Sequence, residues 1–353
     1  MKKLFSLAWG CMLVMTFFLA NFADAQEKVI TWRMPSAWPP GGEVTAYEDY
    51  LGTLANLVEK RSNGRLILKR YPPDALVKIM EQFDAVSKGA VEIACSAGLY
   101  HAGKVPEAHV EFGLPFTFPY EKPEYAMEFI HKWRGGIVLS KLNEAYNTQG
   151  THLIGITAIP AYGFMTKFPV SKVEDFKGKK MRTFGLFSIL LTGLGSAPVS
   201  VPGAEQYMAL QTGTIDGTVF PYYVIETYKL KEVIKYAVFP AVLGTPTINL
   251  YANLKEWNKL PDDLKKIMQE AHWEASVNAY IPRSWAFDKK VLTEIAPKAG
   301  VKTVTLPEEE VAKLMKLSEP LWKRVEGMTP RNAELISLLK EFLKEKGVKY
   351  PGG

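Results

Sequence analysis

The sequence predicts an α/β protein made of two consecutive strand-helix units. Three observations carry this expectation. Apolar positions along the chain switch between a period of two and a period of three to four. The alternation starts afresh after about residue 150, and the chain, at 353 residues, is long enough for two domains. Strands that alternate with helices build mostly parallel sheets from βαβ units.

The amino end reads as a signal peptide rather than as fold. Lys2-Lys3 precede an apolar run from Leu4 to about Ala20, and Ala23-Asp24-Ala25 forms a small-residue cleavage site before Gln26. Residues 1–25 are therefore expected to be removed, with cleavage after Ala25 and a periplasmic destination. That leaves Cys95 as the single cysteine, so no intramolecular disulfide can form and packing must supply the stability.

Residues 26–150 form the first expected lobe. Ile30 to Met34 alternates as a strand, and Ser36-Ala37-Trp38-Pro39-Pro40-Gly41-Gly42 is the loop after it. Tyr47, Tyr50, Leu51, Leu54, Leu57 and Val58 recur at helical spacing, and Asn63-Gly64 ends the pattern. Leu66 to Tyr71 is a second strand, Met80 to Ser87 a helix and Val91 to Ser96 a third strand. Cys95 falls within the last of these as a small buried hydrophobe.

Residues 151–240 form the second expected lobe. Leu153 to Thr157, Tyr162 to Thr166 and Lys180 to Thr183 read as strands, the last ending at Phe184-Gly185. Helices follow over Phe187 to Leu194 and Ala204 to Gln211, then a strand over Ile215 to Phe220. In 241–353, Thr247 to Ala252 returns to the first sheet as a strand, and Pro261 to Tyr280 and Arg283 to Ala296 are helical. Further helices complete the chain. No flexible tether separates the lobes, so several crossings join them, an arrangement that favours a hinge and a cleft.

The net charge of +6 is spread along the chain without a basic block, which argues against nucleic-acid binding. The five histidines have no metal or catalytic spacing, and neither a nucleophile elbow nor a phosphate loop is present. An enzyme is thus not expected; a secreted hydrolase or isomerase acting on a carboxylate is the alternative. Arg182 closes a strand in an open α/β sheet, where side chains face a ligand crevice. A guanidinium supplies charge and a fixed fork of donors that match a carboxylate.

Gly178-Lys179-Lys180-Met181-Arg182, Val199-Ser200-Val201-Pro202-Gly203-Ala204-Glu205 and Ala209-Leu210-Gln211-Thr212-Gly213-Thr214-Ile215-Asp216-Gly217 together resemble the DctP-like solute-binding proteins of TRAP transporters. Asp84 to Gly89 and Phe112 to Phe116 extend the resemblance over nearly the whole mature chain. It implies a two-lobed periplasmic binding protein fold with mixed, mostly parallel sheets and a long bracing helix. It also implies an extracytoplasmic receptor that closes on an organic acid, holds the carboxylate with Arg182 and delivers it to membrane permease subunits.

Departures from the family pattern narrow the ligand. C4-dicarboxylate and sialic-acid binders carry a second arginine after a Gly-Phe pair, where this chain has Met165, and an asparagine where it has Phe220. The 2-oxo-acid receptors, closer in general pattern, hold a metal with a glutamine and a Glu-Trp pair, at positions occupied here by Pro160, Val219 and Phe220. No metal and no cofactor are expected. The expected pocket is Arg182 with Trp38, Tyr100, Tyr162, Met165, Phe184, Phe220 and Tyr222, and His101 beside them. Such a pocket suits a 2-oxo acid or a hydrophobic or aromatic monocarboxylate. The receptor is expected to be a monomer, with a dimer left open.

Overall fold

A computed structural model of the chain describes residues 29–201 and 203–353. The leader at 1–25, with its cleavage site, lies outside the described residues. The strands are β1 (Ile30–Pro35), β2 (Leu66–Tyr71), β3 (Ile93–Ser96), β4 (Thr151–Ala158), β5 (Tyr162–Thr166), β6 (Lys180–Thr183), β7 (Ala197–Ser200), β8 (Gly217–Pro221), β9 (Tyr236–Leu243), β10 (Thr247–Asn253) and β11 (Lys302–Thr305). They form two layers, each covered by helices.

In the first layer β1 and β2 run parallel, with Ile30 opposite Leu66, and a parallel bridge from Ser36 to Cys95 joins β1 to β3. The alternation in β1 is what a one-faced strand requires: Trp32 and Met34 enter the core, and Arg33 turns outward to pair with Glu92 at 2.6 Å. β10 lies antiparallel between β3 and β4. The second layer has the order β11-β9-β5-β8-β6-β7, with β6 parallel to both β7 and β8 and with β5 antiparallel to β8 and β9.

One expected boundary moves. By its position after residue 150 β4 falls in the expected second lobe, but it pairs with β10 in the first layer, so the chain crosses over at 159–161. The reason is non-local: the partner of β4 lies about ninety residues downstream and leaves no mark on its own periodicity. β9 reaches as far as Leu243 in the second layer, and β11 brings part of the expected C-terminal helical region back to that layer.

The two helices expected over 261–296 are one. Asp262–Glu274, Ala275–Tyr280, Ile281–Lys290, Val291–Ile295 and Ala296–Lys298 follow without a break, a rod of about 55 Å at 1.5 Å rise per residue. Pro282 and Pro297 look like breakers in the sequence. Each instead follows a π-helical segment, Ala275–Tyr280 and Val291–Ile295, where the altered ladder absorbs the missing N–H and the ring. The rod packs against Thr53–Arg61 and β4 near its start and against Val224–Thr227 towards its end, thereby bracing both lobes. His272 Nδ1 meets Tyr50 Oη at 2.7 Å, and Trp285 Nε1 donates to the Tyr120 carbonyl at 2.8 Å. Glu308–Glu326 then packs on Ser188–Gly193 of the second lobe and Pro330–Glu345 on Ile137–Thr148 of the first.

Candidate functional site

β6 is short because Lys179 and Lys180 keep its start at the surface and the Phe184-Gly185 turn ends it; between them Met181 is fully buried. Arg182 sits opposite Val199 of β7, near the carboxyl ends of the parallel strands. It is only 6% exposed. Its Nε donates to the Val201 carbonyl at 3.0 Å and its Nη1 to the Val219 carbonyl at 3.3 Å. A guanidinium has five N–H donors, so with two engaged three remain.

What surrounds this cation is aromatic. The guanidinium carbon lies 4.8 Å from the Phe220 ring centre and 5.0 Å from that of Phe184. Tyr162 packs against both rings, at 5.3 Å from Phe220 and 5.8 Å from Phe184. Among the described residues no carboxylate pairs with Arg182. Burial pulls its pKa below the ordinary arginine value, opposed by the phenols of Tyr162, Tyr100 and Tyr228. A buried cation without an anion is an unfavourable state of the protein alone. It becomes favourable when an anion with its own acceptors arrives. The adjacent Thr183 hydroxyl is also buried without a partner.

Tyr100 comes from the first lobe, at the end of the short helical turn Gly98–Tyr100 after β3. It is 43% exposed, yet desolvation raises its pKa while Arg182 acts in the opposite direction. Both facts fit a side chain on the wall of a cleft that is open to solvent and lined by protein. Trp38 lies in the loop after β1, whose shape is set by Ser36: the Trp38 N–H donates to Ser36 Oγ at 3.0 Å. Gly41 and Gly42 follow at φ of 90° and 97°, which side-chain-bearing residues rarely adopt. This loop forms one wall of a cavity of about 300 Å³, closed by Tyr223, Thr227 and Tyr228 of the second lobe and by Tyr280, Ser284 and Phe287 of the long helix.

The structure thus gathers Arg182, Phe184, Phe220, Tyr162 and Tyr100 around one guanidinium and puts Trp38 on the neighbouring cavity. Met165 is fully buried in β5, opposite Thr218, and does not line the cavity. Strand parity gives it the face of Gly163 and Phe220, one step deeper.

Two expected residues belong elsewhere. Tyr222 is fully buried, its hydroxyl donates to the Val238 carbonyl and its ring stacks on Phe239 at 4.7 Å. It lies so close over Gly163 that a Cβ there would stand 1.8 Å from the tyrosine oxygen. The cavity takes Tyr223 instead. Pro221 ends β8 and the chain turns, so strand alternation no longer tells which of the two tyrosines faces inward.

His101 is likewise in the core of the first lobe and not in the cavity wall. Its Nε2 is 2.9 Å from Tyr146 Oη and its ring stacks on Phe83 at 4.2 Å. Burial lowers its pKa to about 3 and raises that of Glu111, which accepts from the same Tyr146, to about 7. Sequence reading missed Tyr223, Tyr228, Tyr280, Thr227 and Phe287. The cluster Tyr222-Tyr223 and Tyr228 hinted at the first two, whereas Tyr280 and Phe287 join only because the helix runs straight through Pro282.

The residues do not fit a metal of the kind the 2-oxo-acid receptors hold. Pro160, Val219 and Phe220 offer no side-chain ligand, the Val219 carbonyl already accepts from Arg182, and no group of three or more His, Cys, Asp or Glu among the described residues is placed to hold an ion.

Comparison with known proteins bears on this site. The family model described as bacterial extracellular solute-binding protein, family 7 (DctP) matches residues 42–327. A monocarboxylate 2-oxoacid-binding periplasmic protein of Nostoc is 27% identical over 320 residues, covering 90% of this chain and 85% of its own. The C4-dicarboxylate-binding periplasmic protein DctP of Rhodobacter capsulatus is 31% identical over 231 residues, 62% of this chain and 65% of its own. A TRAP periplasmic solute-binding protein from Rhodoferax ferrireducens, solved with bound malonate, superposes with a TM-score of 0.77 at 26% identity, covering 89% of this chain and 98% of its own.

Proposed function

This chain belongs to the DctP family of bacterial extracellular solute-binding proteins, TRAP-transporter receptors and not enzymes, and from that premise we propose that it captures an organic monocarboxylate, a 2-oxo acid or a hydrophobic or aromatic acid. The lobes close on the ligand in the periplasm and pass it to the membrane permease. Arg182 anchors the carboxylate. The observation that carries this reading is a nearly buried guanidinium with three N–H donors left over, no acidic partner among the described residues, and rings of Phe184, Phe220 and Tyr162 around it.

Relatives that bind malonate or C4-dicarboxylates make a diacid the rival ligand. The surroundings of Arg182 speak against it. A second carboxylate desolvated against the rings of Phe184, Phe220 and Tyr162 finds no opposite charge in them, at a cost of several kcal/mol. A ring or methylene at that place gains about 0.8 kcal/mol per CH₂.

Calorimetry on the mature protein with pyruvate and phenylpyruvate against malonate and succinate tests the proposal, with each titration repeated after exhaustive chelation. Tighter binding of the monocarboxylates, unchanged by chelation, is the expected result. Binding of malonate or succinate alone would overturn the ligand class, and loss of binding on chelation would overturn the metal-free site.

A further inference from the structure

We propose that the end of the second lobe opposite the ligand cleft is a membrane-contact surface, where a row of lysines rests on an anionic phospholipid bilayer. Lys302, Lys235, Lys167, Lys180, Lys179 and Lys177 come from separate stretches of the chain, so no basic block marks them in the sequence. The sheet brings them together. Lys302 opens β11, Lys235 precedes β9, Lys167 follows β5 and Lys180 opens β6. Backbone hydrogen bonds join these positions into one line. The Lys302 N–H donates to the Lys235 carbonyl at 2.9 Å and the Lys235 N–H to that of Thr166 at 2.8 Å. The Lys167 N–H donates to the Asp216 carbonyl at 3.0 Å and the Asp216 N–H to that of Lys180 at 2.7 Å. The line crosses β11-β9-β5-β8-β6, and at about 4.8 Å between strands it is roughly 19 Å long. Arg182 and Phe220 lie towards the other ends of β6 and β8.

Apart from Lys179, which is half-buried, these lysines are exposed. Lys179 Nζ lies 4.9 Å from the ring centre of Phe168, Lys167 Nζ donates to the Leu210 carbonyl at 2.9 Å and Lys180 Nζ to that of Gly213. Among the described residues none of these lysine side chains is paired with a carboxylate. Asp216 is the single acid in the line, and its carboxylate accepts from the Lys180 backbone N–H at 2.8 Å. Exposed lysines elsewhere do meet acids, as Lys290 meets Glu43 at 2.9 Å and Lys313 meets Glu310 at 2.7 Å. Cations on neighbouring strands, about 5 Å apart, lie within one Debye length of roughly 8 Å and repel one another. An anionic surface turns that repulsion into a shared attraction.

The residue type favours lipid over an acidic protein. Every cation in the row is a lysine, a compact and strongly hydrated charge on a flexible stem, whereas fixed carboxylates are best met by the planar fork of arginine. Protein interfaces accordingly enrich arginine and deplete lysine. Flexible, hydrated cations in a straight row suit a fluid layer of phosphate headgroups, which offers charge without fixed positions. Contact at this end leaves the cleft clear and keeps the receptor beside the membrane in which its permease sits.

The test is co-sedimentation of the ligand-free mature protein with vesicles of phosphatidylcholine alone and of phosphatidylcholine mixed with phosphatidylglycerol. Binding is expected only to the anionic vesicles and should fall steeply as salt is added. Each lysine near such a surface contributes about fivefold to partitioning, so Lys235→Gln combined with Lys302→Gln should weaken binding roughly twenty- to thirtyfold. Lys60→Gln combined with Lys255→Gln, an equal loss of charge at exposed lysines of the first lobe, should leave it nearly unchanged. Thermal unfolding at the wild-type midpoint reports that both double variants are folded. Equal binding to the two kinds of vesicle, or an equal loss in the two double variants, refutes the row as a lipid contact. Retention on immobilised polyglutamate that requires Lys235 and Lys302, without binding to anionic vesicles, makes this a surface for an acidic protein and overturns the lipid proposal. No carboxylate ligand enters the assay, so its outcome is separate from the role given to Arg182.

Discussion

Removing the guanidinium of Arg182 should abolish carboxylate capture without unfolding the receptor. Two of its five N–H groups hold the Val201 and Val219 carbonyls, so three are free for the ligand, enough for a two-point contact with a carboxylate. Truncating one partner of a buried hydrogen-bonded charge pair costs about 2–5 kcal/mol, which corresponds to roughly thirty- to several-thousand-fold in Kd. Arg182→Ala should lie within that range. Arg182→Lys keeps the charge but loses the planar fork and cannot hold both carbonyls and the ligand, so an intermediate loss is expected. The fold should tolerate Arg182→Met, since the exchange removes a cation that burial already disfavours. Isothermal calorimetry gives the affinities, and thermal unfolding in the absence of ligand separates lost binding from lost structure. Wild-type affinity in folded Arg182→Ala would refute the reasoning outright.

Two further outcomes follow from the packing. Gly163→Ala puts a carbon 1.8 Å from the Tyr222 oxygen, so either β5 shifts or Tyr222 gives up its bond to Val238; a loss of about 2–4 kcal/mol in urea unfolding is expected, whereas an unchanged midpoint would contradict the close approach. Burial raises the carboxyls of Asp288 and Glu111 to about 7, so the folded chain keeps protons that the unfolded chain releases near pH 4. The same burial holds all five imidazoles, His101, His109, His131, His152 and His272, below the ordinary histidine value, so between about pH 4 and 6.5 the unfolded chain takes up more protons on its histidines than the native chain keeps on two carboxyls, and stability should rise with pH across that window. Denaturant melts across that window should show the rise, and Asp288→Asn with Glu111→Gln, which removes the opposing carboxyls, should steepen it.

Several features were legible in the sequence because they are local. β2 and β6 have the expected bounds, since turn residues bracket short alternating runs: Asn63-Gly64 before Leu66, Phe184-Gly185 after Thr183. Arg182 could be singled out for the same reason, as a cation at the end of such a run with its family motif around it. Its rings Phe184 and Phe220 stand within two residues of strand ends, where the expected pocket already lay.

The membership of β4 in the first layer was not legible, because its partner β10 is distant in sequence and pairing energy is collected only in three dimensions. The same holds for the unbroken helix: Pro282 and Pro297 read as stops until a π-helical segment before each removes the clash. That continuity carries Tyr280 and Phe287 to the cavity, and the turn after Pro221 decides that Tyr223 and not Tyr222 lines it. The sequence by itself determined the α/β class and the family and singled out Arg182 as the proposed anchor, each written in contiguous residues. Only the tertiary structure decided what surrounds that cation, because a cleft between lobes is assembled from segments whose proximity no local periodicity records.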